Sequence, residues 1–332
     1  MAVAAIWLSG GIMIDDWHHF HSTLETFFEW SHGVLYAGLF AAYVFTGIMM
    51  AKARKRGYPW RNTLPAGYGV TQVGLVVCLI GGAGDMIKHT LWGFEQAFDA
   101  LLSPTHLLIG AGMFLIIAGP IWSALHRERP PLTLVAQLPL VFCAASMMEL
   151  MHWGLQFIFL SEAEHMNAPI VPWTMPHDVL TLLMLQYYKQ GVGLLAVIVQ
   201  SLLISGFFLY LARRLRLAMG AVTVLLIVGN AFIAAAQSNY IGQFVAVVVA
   251  SAVAGLVADS FRLDPSHQTA RKWNLAAFSV PAVYWIVLLA LLALTMGGVW
   301  WTPDILAGSI LYAGLAGLFI NAISGPFPRS VT

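Results

Sequence analysis

The sequence predicts an all-α, polytopic membrane bundle of about ten transmembrane helices, with the N- and C-termini cytoplasmic. Three observations carry this. The 332 residues are 59% hydrophobic and only 9% charged, with mean hydropathy +0.79, whereas soluble domains carry about 25% charged residues. Apolar stretches longer than about 18 residues, the length that reads as a membrane span, recur along the chain. The basic residues gather in alternate connections between those stretches, as the positive-inside rule requires.

The expected spans are 1–20, 32–52, 66–88, 105–126, 133–158, 190–212, 217–236, 241–259, 274–296 and 305–324. The first opens on an apolar run of 14 residues. No Lys or Arg precedes Lys52, so the charged start of a signal peptide is missing and the run reads as part of a short span. The second ends in KARKR (52–56). The sixth ends at Arg213 and Arg214, and the ninth follows Arg271 and Lys272. Segment 178–189 (DVLTLLMLQYYK) reads as an extra interfacial helix ahead of the sixth span. Counting from a cytoplasmic N-terminus, all Lys and Arg except Lys88 and Lys189 fall on the inner side. That is 14 of 16, which supports both the span count and the orientation. Acids do the reverse, only Glu128, Asp259 and Asp264 lying inside. Histidine follows the acids, with only His126 and His267 inside, and the positive-inside rule does not predict this. The expected division is a metal-site domain of three helical hairpins, 1–189, and a transmembrane scaffold or subunit-docking region, 190–332.

Composition excludes several classes. A net charge of +1 gives no reason to expect nucleic acid. Cys78 and Cys143 stand alone in apolar segments, with no CxxC or CxxCH. Thiolate metal sites, c-type haem and a disulfide framework are therefore not expected.

What remains is an internal repeat on the outer side. The first outer connection holds Asp15, His19 and Glu25, followed by Ser31-His32. The second holds Asp85, His89 and Glu95, followed by Ser103-Pro104-Thr105-His106. Both read D-x3-H-x5-E and then a Ser and a His. A looser third copy has Glu149 and His152 near the outer end of the fifth span and His177 in TMPHD, with Glu162, Glu164 and His165 between. Residues i and i+4 share one helix face, so Asp15/His19 and Asp85/His89 point together. Ser31 or Ser103 is a candidate N-cap for the returning helix, with Pro104 at its first position. His32 or His106 would then stand level with the outgoing pair. Two imidazoles and a carboxylate converging from two helices suit Cu, Zn, Fe or Mn. The candidate ligands are Asp85, His89, His106, Asp15, His19, His32, Glu149, His152 and His177. Glu25 and Glu95 are read as carboxylates that orient a ligating His. Gly81, Gly82 and Gly84 would let the helix end open or approach a neighbour closely. Asn230, Gln237 and Asn239 read as helix–helix contacts.

At these residues the sequence resembles the C subunit of the copper membrane monooxygenases, which oxidise methane, ammonia or short alkanes. That family carries an outer-side Asp-x3-His followed by a His on the returning helix. Asp85, His89 and SPTH with His106 match the pattern. Asp15, His19 and His32 match it too, including the 12 residues between the two His; the second hairpin has 16. The resemblance implies copper near the periplasmic face of a bacterial inner membrane, and oxidation of a small apolar substrate or a quinol. It also implies partner subunits, among them a periplasmic copper or electron-transfer protein. Rival readings are metal transport or delivery without redox chemistry, haem binding, and an accessory subunit whose His are structural. Crowding of the His beside carboxylates at one edge favours a bare ion over haem.

Overall fold

The computed structural model describes residues 1–21, 26–93, 98–127, 132–158, 179–238, 241–266, 269–295, 299 and 301–325. Among them the protein is all-α, and eight helices are long and apolar enough to cross a membrane. It is a polytopic helical membrane bundle. Helices dominate because a chain in lipid must satisfy every backbone N–H and C=O within itself. Large apolar side chains such as Phe40, Val73 and Ile80 are accordingly exposed, as lipid-facing residues are.

Two compact units divide between Gly154 and Leu155. The first contains α1 (Ala2–His21), α2 (Trp30–Lys55), α3 (Tyr68–Trp92), the short α4 (Phe98–Leu102), α5 (Pro104–Leu125) and α6 (Leu134–Gly154). Contacts α1–α2, α2–α3, α3–α5, α5–α6 and α6–α1 close a five-helix ring. The second unit contains α7 (Val179–Arg214), α8 (Ala221–Gln237), α9 (Ile241–Ser260), α10 (Ala270–Thr295) and α11 (Pro303–Ile323). Residue 189, where the expected domain division falls, lies inside α7.

The α3–α5 pair is the tightest in the first unit. A Cβ on Gly74 would lie 2.6 Å from the Gly112 carbonyl, and one on Gly112 would lie 2.7 Å from the Cys78 nitrogen. Thr71 Oγ1 donates to the Ile116 carbonyl at 3.0 Å, and Cys78 Sγ donates to that of Ile109 at 3.4 Å. Small residues permit this approach, which replaces the hydrophobic drive absent in lipid with van der Waals contact. Thr71, Cys78 and Asp85 follow one another at seven-residue steps, so the seam that joins the helices leads directly to Asp85.

In the second unit a neutral polar network is buried. Gln200 Nε2 donates to the Tyr284 hydroxyl oxygen (2.8 Å) and to Asn230 Oδ1 (3.3 Å), and Asn230 Nδ2 donates to Ser251 Oγ (3.1 Å). Four helices are thereby tied together, as expected of Asn230. Gln237 likewise donates to Gln156 Oε1 at 3.0 Å; Asn239 lies outside the described residues. An Asn230→Leu variant is expected to lose about 1 kcal/mol of stability, read as a lower midpoint of thermal unfolding in detergent.

Two expectations are corrected. Segment 178–189 is not a separate interfacial helix: from Val179 it runs unbroken into the span as α7, 36 residues long. No proline interrupts it, and Gly191 and Gly193 remain helical because each keeps its backbone hydrogen bonding. Ser31 is not an N-cap. Helix α2 starts at Trp30 with Glu29 at the cap position, and Ser31 lies one residue inside it.

Candidate metal centre

Ser103 caps α5 as expected: its Oγ accepts from the His106 N–H at 3.3 Å, with Pro104 at the first helical position. This holds His106 in the first turn of α5, facing the last turns of α3. Helix α3 does not open at Gly81, Gly82 and Gly84; it continues to Trp92. Those glycines serve close approach instead. A Cβ on Gly81 would lie 2.9 Å from the Ile109 nitrogen, and one on Gly82 would lie 2.8 Å from Tyr36 Cε1.

The result is a triad. His89 Nε2 lies 3.3 Å and His106 Nε2 3.2 Å from Asp85 Oδ1. The first hairpin builds a second triad. Asp15 Oδ2 lies 3.4 Å from His32 Nε2 and 3.7 Å from His19 Nε2, and the two Nε2 atoms are 3.3 Å apart. Asp85 is 1% exposed and His32 3%, with Asp15 and His89 also buried.

The far side of three rings is held by backbone. His32 Nδ1 donates to the Phe27 carbonyl at 2.8 Å, His89 Nδ1 to that of Gly93 at 3.3 Å, and His106 Nδ1 to that of Ala100. A carbonyl only accepts, so these Nδ1 atoms carry the proton, and in the neutral imidazole Nε2 then presents its lone pair to the triad. Gly93 makes this possible for His89. Its φ of +81° with ψ −173° is a conformation essentially reserved for glycine, and it ends α3 while aiming its carbonyl back at the ring.

The remaining spacing fits a cation. Separations of 3.2–3.7 Å exceed the roughly 2.7–2.9 Å of a charge-assisted hydrogen bond. They match the edge of about 3.3 Å between ligands of a tetrahedral ion bound at about 2.0 Å. Buried lone pairs of two imidazoles and a carboxylate repel one another unless a positive charge lies among them. Each triad therefore suits a metal ion, of a kind the donors leave open among Cu, Zn, Fe and Mn.

The triads are neighbours. The His32 and His89 rings are 6.2 Å apart and nearly parallel. Phe27 stacks on His32 at 5.0 Å and leans on His89 at 6.2 Å and Tyr36 at 5.8 Å. Thr105 is a residue that sequence reasoning missed: its Oγ1 donates to Asp85 Oδ1 at 3.0 Å. The available signal was a hydroxyl directly before the returning His in both repeats, Ser31 and Thr105.

Other acidic and imidazole residues of the first unit are not members of the two triads. His18 Nδ1 is 3.4 Å from Ser31 Oγ, and His21 is exposed and stacked on Trp17. Asp16 Oδ1 accepts from Trp153 Nε1 at 3.3 Å, tying α1 to α6. Glu149 and His152 are buried on α6, but among the described residues they join no further group of three ligand atoms. Glu25, Glu95 and His177 lie outside the described residues. Comparison with protein-family models, with curated proteins and with solved structures gives no match for this chain.

Proposed function

We propose that the protein is a copper-binding integral membrane oxidoreductase, or a subunit of one, in which the two Asp/His/His triads hold neighbouring copper ions. The carrying observation is the locked set of rings: three imidazoles fixed through Nδ1, with Nε2 turned on a buried carboxylate. Copper in preference to Zn, Fe or Mn follows from the likeness of Asp85, His89 and His106 in SPTH to the C subunit of the copper membrane monooxygenases. Ten crossings with cytoplasmic termini are supported by the Lys/Arg distribution together with α1 and α8, helices of 20 and 17 residues that add to the eight long apolar ones; a bacterial inner membrane is what the same likeness implies. The triads then stand at the periplasmic face.

Copper so held supplies one-electron chemistry toward O₂, beside a bilayer that concentrates an apolar substrate or a quinol. The chain's own residues supply the rest. Asp15 and Asp85 each offset one positive charge, Thr105 orients Asp85, and the Phe27, Gly93 and Ala100 carbonyls fix the rings. Phe27 and Tyr36 keep the space between the triads apolar. Partner membrane subunits and a periplasmic copper or electron-transfer protein complete the assembly.

Protein purified from copper-replete cells is expected to carry about two copper ions per chain by elemental analysis, with nitrogen couplings from imidazole in its Cu(II) spectrum. Absence of bound metal overturns the reading; zinc alone overturns copper. A Thr105→Val variant is expected to weaken metal binding about tenfold, read by competition with a chelator, while the fold is retained.

A further inference from the structure

Helix α2 carries His32 at one end and Lys52–Arg56 at the other, so its basic end lies about 30 Å from the triads, at the opposite face of the bilayer. There, Lys52, Arg54, Lys55, Arg56 and Arg61 fall within ten residues and are all exposed. Among the described residues none of them is paired with a carboxylate, in contrast to Arg216, which meets Asp264 at 3.8 Å. The segment after α2 is shaped. Arg54 Nη1 donates to the Tyr58 carbonyl at 2.7 Å and its guanidinium lies 4.9 Å from the centre of the Trp60 ring. A helical turn over Trp60–Asn62 follows, and Thr63 is buried. Tyr58 is 53% and Trp60 66% exposed.

This hook adjoins the end of α5. A Cβ on Gly67 would lie 3.0 Å from Trp122 Cδ1. Trp122 is 55% exposed, and Arg127 beyond it is exposed too. One rim therefore presents six cations with three exposed aromatic rings. The positive-inside rule accounts for basic residues on this side. It does not account for an ordered cation–aromatic turn, nor for residues 52–62 holding no acid among their cations.

We propose that this rim of the first unit binds the headgroups of anionic phospholipids. The phosphate is received by Arg56, Arg61 and their neighbours. Trp60, Tyr58 and Trp122 lie at headgroup depth, where amphipathic rings are favoured. The headgroups neutralise cations that have no carboxylate partner among the described residues, and hold the α2–α3 hairpin at a set depth.

The test compares lipid retention by the purified full chain in native mass spectrometry, with phosphatidylglycerol and phosphatidylcholine as probes. Phosphatidylglycerol is expected to bind at least tenfold more tightly, the preference shrinking as salt rises. Each cation removed weakens binding about fivefold, so Arg56→Gln/Arg61→Gln loses roughly 25-fold. Among the described residues neither side chain makes a contact that shapes the hook, so this variant keeps the unfolding midpoint of the parent in phosphatidylcholine. Arg271→Gln/Lys272→Gln removes the same charge elsewhere and leaves binding unchanged. Equal retention of both lipids, an equal loss in the Arg271/Lys272 variant, or displacement of phosphatidylglycerol by millimolar inorganic phosphate overturns the proposal. The last result would identify a free anion as the ligand.

Discussion

A His89→Ala/His106→Ala variant is expected to lose the ion of its own triad and keep that of the other, so that metal content falls by about half. Asp85 would be left as the only ligand of its set, and one carboxylate does not hold a transition-metal ion against water and competing chelators. Because the removal strands a buried carboxylate, which costs several kcal/mol, the informative form adds Asp85→Asn. The seam of Gly74, Cys78 and Gly112 below is untouched, so the helices remain paired. The reciprocal His19→Ala/His32→Ala variant is expected to lose the other half, and the combination of the two to bind none. Elemental analysis with an unfolding midpoint for each variant checks this. Full metal content in the combined variant would remove the metal reading altogether.

Gly74→Leu is expected to have a large effect on the metal centre although it changes no ligand. The first side-chain atom alone would lie 2.6 Å from the Gly112 carbonyl and from the Ile116 nitrogen. Backbone cannot turn away as a side chain can, so α3 and α5 must separate. Overpacking in a well-filled interface costs about 3 kcal/mol or more. The consequence reaches the metal centre, because Asp85 and His89 stand on α3 while His106 stands on α5. Metal at the Asp85 triad is expected to fall although no ligand has changed, and the Asp15 triad, on α1 and α2, to be affected less. Gly69→Ala is the control: nothing lies within 4 Å of its Cβ position. Equal metal retention in Gly74→Leu and Gly69→Ala would show that the α3–α5 seam does not position the site.

The membership of each triad was legible because it rests on local geometry. Asp85 and His89 share a helix face at i, i+4, and Ser103-Pro104 announces the helix start that carries His106. Where local geometry gave competing answers the sequence reading failed. Ser31 looked like a cap because Ser before an apolar run usually is one, yet Trp30 is already helical. Segment 178–189 looked interfacial because Tyr187, Tyr188 and Lys189 are polar-edged residues. Polarity alone does not stop a helix that lacks a proline.

Other features depend on contacts between segments far apart in the chain. Tyr36 over Gly82, and the Tyr43 hydroxyl donating to the Leu75 carbonyl at 2.6 Å, press α2 against α3 and bring His32 beside His89. No spacing in the sequence encodes that meeting. The role of Thr105 is of the same kind, since its acceptor lies 20 residues away on another helix.

The sequence alone determined that this is a helical membrane protein and which acid and imidazole groups repeat along it, because hydropathy and helical periodicity are properties of neighbouring residues. Only the tertiary structure decided that the two repeats stand side by side with their rings locked by backbone carbonyls. That depends on how closely helices can approach, and approach is decided by the few atoms present or missing where they cross.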